Sequence, residues 1–196
     1  MLRNNPKINR WGTRSHSIRF EPNGHEQCDF VEKESDEMNL LDVISPRCIK
    51  VPLESRTKKE VIAELVDLMV SVKKLPHRDA IYEALIEREE VGSTGIGHGV
   101  ALPHAKCAEV KEICVSCGIS PEGIDFDALD REPVHIFFMI LAPRSAPGQH
   151  LKIMSILTRF LSREAAREEI IKAGNADDVY SVLCDLNQNQ TISKTL

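Results

Sequence analysis

The residues best equipped for chemistry run from Arg88 to His104: Arg88-Glu89-Glu90-Val91-Gly92-Ser93-Thr94-Gly95-Ile96-Gly97-His98-Gly99-Val100-Ala101-Leu102-Pro103-His104. Four glycines fall within the eight positions Gly92–Gly99, which reads as a loop. Glycine permits positive φ and close backbone approach, so main-chain N–H groups here can line a concave anion site. Ser93 and Thr94 add hydroxyl donors. With Gly92, Gly95, Gly97 and Gly99 they make a candidate phosphate-binding loop. The loop feeds a short strand, Val100–Leu102, ended by Pro103, whose fixed φ holds His104 at the strand end. Imidazole is mostly neutral, nucleophilic and able to form a labile P–N bond near pH 7, so His104 is a candidate phosphoryl acceptor.

Other chemistries fit the segment less well. Gly95-Ile96-Gly97-His98-Gly99 is part of a dinucleotide fingerprint, but that fingerprint follows a strand and opens a helix, and here the order is reversed. No Gly-Lys-Ser/Thr follows, so it is not a P-loop. A zinc site would draw on His104, Cys107, Cys114 and Cys117. Cys114 and Cys117 have CxxC spacing, but Ile113–Ile119 reads as a strand, where residues three apart point to opposite faces. From spacing alone one plain alternative stays equally open: the glycines form only a tight connection and His104 is a packed core histidine.

Elements on both sides must position these residues. Thr57-Lys58-Lys59-Glu60 is a capping box ahead of Val61, Ile62, Leu65, Leu68, Met69 and Val72, an amphipathic helix. A second helix runs from Asp79 to about Glu90, with Ile81 and Leu85 inward, and stops at Gly92. Ile113–Ile119 and Val134–Leu141 read as strands, the second nearly all apolar, as in a central strand covered on both faces. Helices follow from about Gln149, over Glu164–Ala173, and over Ala176–Leu186 behind an Asn175 cap. The pattern predicts an α/β single domain: a mixed central sheet flanked by helices on both faces.

The chain has 196 residues, 42% hydrophobic and 28% charged, which suits one globular domain with a tail. Residues 1–37 begin rich in arginine and then turn acidic, with sparse apolar residues. They are expected to be a poorly ordered extension, or to lie upstream of a true start at Met38. The net charge of −5 removes a global attraction to nucleic acid, and no apolar run reaches the ~18 residues of a membrane span. Six cysteines are too few for a disulfide scaffold and suit a reduced, cytoplasmic setting.

Gly92–His104 resembles the active-site signature of the enzyme IIA domain in the fructose/mannitol class of the bacterial phosphotransferase system. That signature reads Gly-Ser-Thr-Gly-Ile-Gly, one variable residue, Gly, three largely apolar positions and Pro-His. The resemblance runs from Met38 to about Asn187. It includes Leu40-Leu41, Arg88-Glu89 and the Phe126-Asp127-Ala128-Leu129-Asp130 turn. It implies a type-2 enzyme IIA domain over residues 38–190. It also implies that His104 takes a phosphoryl group on Nε2 from the phosphohistidine of an HPr- or NPr-type phosphocarrier protein. His150 matches a second active-site histidine, and Arg88 an arginine at the site's edge. His98 occupies the variable position and receives no catalytic role. No cofactor or metal is implied. Without fused transport or carrier domains, the chain resembles the nitrogen-regulatory, PtsN-like branch. There, phosphorylation state controls binding to regulatory targets such as potassium-transport and sensor-kinase proteins. The alternatives are a sugar enzyme IIA that passes the group to a permease, and a binding module that is never phosphorylated.

Overall fold

Residues 38–145 and 147–192 are described by the structure, a computed structural model; the extension expected over residues 1–37 lies outside them. The capping box at Thr57 forms as expected: Thr57 N–H donates to the Glu60 carboxylate at 3.0 Å, and Glu60 N–H donates to Thr57 Oγ1. It starts α2 (Lys58–Lys73), which buries Val61, Ile62, Leu65, Val66 and Met69. Leu68 and Val72, expected inside, are half-buried at the margin of that face. α3 (Arg78–Val91) buries Ile81, Leu85 and Glu89 and ends at Gly92. A short α1 (Leu40–Val43), capped by Asn39 and Asp42, precedes both.

The sheet has six strands in the order β1-β5-β6-β3-β2, with β4 also paired to β6. These are β1 (Ile49–Lys50), β2 (Gly95–Gly97), β3 (Val100–Ala101), β4 (His104–Cys107), β5 (Cys114–Ile124) and β6 (Val134–Pro143). β6 is central, antiparallel to β5 on one edge and parallel to β3 and β4 on the other. Its side chains alternate with period two. Ile136, Phe138, Ile140 and Ala142 join one core cluster, and Phe137, Met139 and Leu141 the other. The first cluster is completed by α1, α4 (Pro147–Leu161), α5 (Glu164–Lys172) and α6 (Ala176–Ile192), the second by α2 and α3. This is the mixed sheet with helices on both faces that the pattern predicts. Cys114 and Cys117 fall in opposite clusters, so the CxxC pair straddles the sheet. Among the described residues no helix is long and apolar enough to cross a membrane.

One expectation is corrected around the site. The Gly92–Gly99 segment is not all loop: Gly95–Gly97 is a strand that pairs antiparallel with β3. The connecting His98 and Gly99 have φ of 56° and 73°, the doubly positive pattern of a tight hairpin turn. β3 ends before Pro103, as expected, but the chain then returns to the same neighbour. Val100 pairs with Ile136 and His104 with Ile140, a constant offset of 36 residues across Leu102–Pro103. A proline removes one donor from the ladder but leaves its carbonyl, and Pro103 O accepts from Ile140 N–H at 2.9 Å. His104 therefore opens β4 on the same path along β6.

Candidate active site

His104 is half-buried, and its two ring nitrogens have different partners. Nδ1 lies 2.8 Å from the carbonyl oxygen of Leu102. A carbonyl can only accept, so Nδ1 carries the proton and Nε2 the lone pair. Arg88 confirms this tautomer from the other side: its Nε–H donates to His104 Nε2 at 3.1 Å. Arg88 lies in the last turn of α3, where a cation complements the helix dipole, and its Nη1 donates to Gly92 O at 2.9 Å.

His150 reaches the same place from the opposite layer. It is the fourth residue of α4, and its ring centroid is 5.1 Å from that of His104, tilted by 42°. It does not face solvent as an ordinary first-turn residue would, being only 8% exposed. Its Nε2 is fully buried without a hydrogen-bond partner. Burial is the main cause that holds both imidazoles below their ordinary pKa of 6.5. At His104 the charges of Arg88 and Lys106 add to it, opposed by the Leu102 carbonyl and Glu89. At His150, His104, Lys106 and Arg88 act in the same direction as burial. Both rings are thus neutral near pH 7, as a nucleophile requires.

The structure brings Arg88, His104 and His150 together, while the hydroxyls of the Gly-rich segment are engaged elsewhere. Ser93 Oγ donates to Phe126 O at 2.8 Å and accepts from Gly95 N–H at 3.1 Å. Thr94 gives both its N–H (3.0 Å) and its hydroxyl (2.6 Å) to the buried Glu89 carboxylate. Gly95 is required by packing: a Cβ there would lie 2.8 Å from Ala128 Cα. The hairpin is bound to the Phe126–Asp130 turn by Leu129 N–H to Gly95 O (3.1 Å) and His98 N–H to Asp130 Oδ2 (2.7 Å). Glu89 was not among the residues singled out for a role from sequence. The available signal was an acid in the last turn of a helix, where the dipole opposes it. Such a charge needs a partner, and Lys58 Nζ supplies one at 3.0 Å.

Four large apolar side chains are exposed among the described residues: Val91, Ile96, Leu129 and Leu151. All sit on segments that build this site: the end of α3, β2, the turn bound to Gly95, and the residue after His150.

The family model described as phosphoenolpyruvate-dependent sugar phosphotransferase system, EIIA 2, matches residues 42–185. The chain belongs to this family. The fructose-specific EIIA component of Haloferax volcanii is 42% identical over 152 residues, which is 76% of this chain and 99% of that protein. The fructose-specific EIIABC component of Bacillus subtilis is 37% identical over 146 residues, 74% of this chain; the match spans only 23% of that protein's length. Among solved structures, the nitrogen regulatory protein IIA-Ntr of Neisseria meningitidis aligns with a TM-score of 0.68 at 31% identity, covering 72% of this chain and 97% of that one. The relatives of this EIIA domain thus carry both sugar and nitrogen-regulatory names.

Proposed function

We propose that the chain is a phosphoryl-accepting EIIA protein in which His104 Nε2 takes the group from a phosphohistidine on an HPr- or NPr-type carrier. The observation that carries this reading is the tautomer at His104, with the lone pair on Nε2 and the proton bonded to Leu102 O. In the transfer the Nε2 lone pair attacks phosphorus in line, and the donor's P–N bond breaks with its electron pair returning to the donor imidazole. The His104 ring gains positive charge, and its Nδ1–H···O bond to Leu102 strengthens accordingly. One P–N bond replaces another, so the protein must supply positioning and charge stabilisation above all. Arg88 releases Nε2 and turns its guanidinium to the phosphoryl oxygens. His150, in the tautomer that carries its proton on Nε2, gives the phosphoryl oxygens the hydrogen bond that this nitrogen otherwise lacks.

The exposed Val91, Ile96, Leu129 and Leu151 suit a small apolar docking face with a polar rim. A relay must release its partner after each turn, which fits the small interfaces, below about 1,200 Å², of transient encounters.

The experiment is to incubate the chain with phosphoenolpyruvate, the first enzyme of the cascade and the phosphocarrier, then measure intact mass. Gain of one phosphoryl group, lost in a His104→Ala variant, is expected. No gain in wild type would leave the binding-module reading.

Downstream there are two readings. In the regulatory one, phosphorylation of His104 changes binding to targets such as the potassium-transport or sensor-kinase proteins that the resemblance implies; the Neisseria neighbour carries a nitrogen-regulatory name. In the second the group passes to a sugar permease. The Haloferax relative favours this one: it is named fructose-specific, and the match spans 99% of it. Mixing phosphoprotein with a purified fructose-permease acceptor domain decides. Rapid dephosphorylation supports the permease reading, and a stable phosphoprotein supports the regulatory one.

A further inference from the structure

Lys58 and Glu89 each sit at the end of a helix that disfavours their charge. Lys58 is the first residue of α2, where the dipole opposes a cation, and Glu89 lies in the last turn of α3, where it opposes an anion. They resolve each other at 3.0 Å. The Lys58 ammonium also meets Asp127 Oδ2 at 2.8 Å and lies 4.9 Å above the centre of the Phe126 ring. Burial works against its charge, but the Asp127 and Glu89 carboxylates outweigh it and raise its pKa. One side chain thus connects two different structures. Glu89 adjoins Arg88 and grips Thr94, so it fixes the end of α3 from which Arg88 reaches His104. Asp127 belongs to the exposed turn that holds the hairpin and displays Leu129, 79% exposed.

We propose that Lys58 is a positioning residue that holds the Arg88-bearing end of α3 and the Phe126–Asp130 turn in one frame, so that a donor docked on the turn meets the His104 imidazole in register. The proposal rests on the phosphoryl-acceptor reading above. An ammonium suits this role because its three donors can serve two carboxylates while the ring face takes the remaining side. Without it, Glu89 keeps only its bonds to Thr94, and the turn loses its tie to α2.

The test compares wild type, Lys58→Met and Lys58→Arg with two donors: the phosphorylated phosphocarrier, which must dock, and phosphoramidate, which need not. Phosphoramidate transfers its phosphoryl group to Nε2 and leaves as ammonia, so it reports on the imidazole and its Arg88 partner alone. Lys58→Met is expected to lower kcat with both donors by roughly 10- to 100-fold, the scale of a small misplacement at a reacting centre. It should raise KM for the protein donor as well. Lys58→Arg should restore most of both, because a guanidinium also bridges two carboxylates. Wild-type kinetics for Lys58→Met with both donors overturn the proposal, as does a loss that Lys58→Arg shares in full. If Lys58→Met does not fold, Asp127→Asn carries the test, since its side chain is 79% exposed. Its KM for the protein donor must rise about two- to fivefold, the scale of an exposed ion pair, and an unchanged KM overturns the proposal. A wild-type protein that takes phosphate from neither donor refutes the acceptor reading instead, and that arm is read first.

Discussion

The two sides of the His104 imidazole are built on opposite plans. On the α3 side the polar groups are bonded to one another: Arg88 to His104 and Gly92, Thr94 to Glu89, Glu89 to Lys58, and Ser93 to Phe126. On the α4 side the His150 ring lies 5.1 Å from that of His104, and its Nε2 is buried with no partner. A buried polar nitrogen left unpaired costs about 1–3 kcal/mol, so such a group persists where something else supplies the bond. The difference suggests a division of labour. Under the proposed function, the α3 side would fix the orientation and tautomer of His104 before any encounter, and the α4 side would be held open for the phosphoryl group.

Removing His104 abolishes what both sides serve, and this is the largest effect expected. His104→Ala should accept no phosphate in the intact-mass assay and still give the far-UV spectrum and cooperative unfolding of wild type, because the residue is only half-buried. A phosphorylated His104→Ala protein would move the acceptor elsewhere and dissolve the comparison. Next in size is the open side. His150→Ala removes an oxyanion partner and leaves the nucleophile, so single-turnover transfer should slow by ~10²–10³ without stopping. Its stability reflects two opposed terms, the lost packing of a side chain only 8% exposed and the relief of an unpaired buried nitrogen. A wild-type rate would mean that the unpaired nitrogen is not reserved for the phosphoryl group.

The closed side answers to stability first. Thr94→Val keeps the shape of the side chain but removes the 2.6 Å hydrogen bond to the Glu89 carboxylate in a buried setting. A hydrogen bond to a charged group contributes about 1.5–3 kcal/mol, so urea unfolding should show a loss of that order. The transfer rate should fall less than in His150→Ala, since Arg88 and His104 keep their direct contact. A variant as stable as wild type would show that the α3 side is not prebuilt through Glu89.

This asymmetry was only partly legible in the sequence. The elements that carry strong periodicity were readable: the capping box at Thr57, the inward faces of α2 and α3, and the apolar run of β6 all took the places their patterns predict. The interrupted edge was not. Glycine and proline are read as breakers, yet Gly95–Gly97 pairs with β3 and the chain rejoins β6 directly after Pro103, because neighbouring strands supply a register that local propensity does not encode. The same limit applies to side-chain roles. Ser93 and Thr94 look like anion donors by type, and only the fold reveals that Phe126 O and Glu89 engage them. His150 lies 46 positions beyond His104 in the sequence. Without the resemblance to the enzyme IIA signature, nothing in its own neighbourhood distinguishes it from a solvent-facing histidine.

The smallest expected effect is the pH response, and it distinguishes the two sides within one measurement. Burial foremost, with the nearby cations, holds the imidazoles of His104 and His150 below 6.5 in the folded protein. As pH falls through 6.5 the unfolded chain therefore binds protons that the folded chain still refuses. Stability is flat above that value, declines below it, and levels off once the folded rings have titrated. Imidazole NMR should place both midpoints below 6.5, and a midpoint at or above it would contradict the buried, neutral site. Phosphorylation then separates the rings. The group adds about −1.5 to −2 charges. If those charges settle on the α4 side, they attract a proton to His150, whose midpoint should move upward from its value in the unmodified protein. A His150 resonance that titrates identically in both forms would place the phosphoryl group away from α4 and leave its buried nitrogen without an explanation.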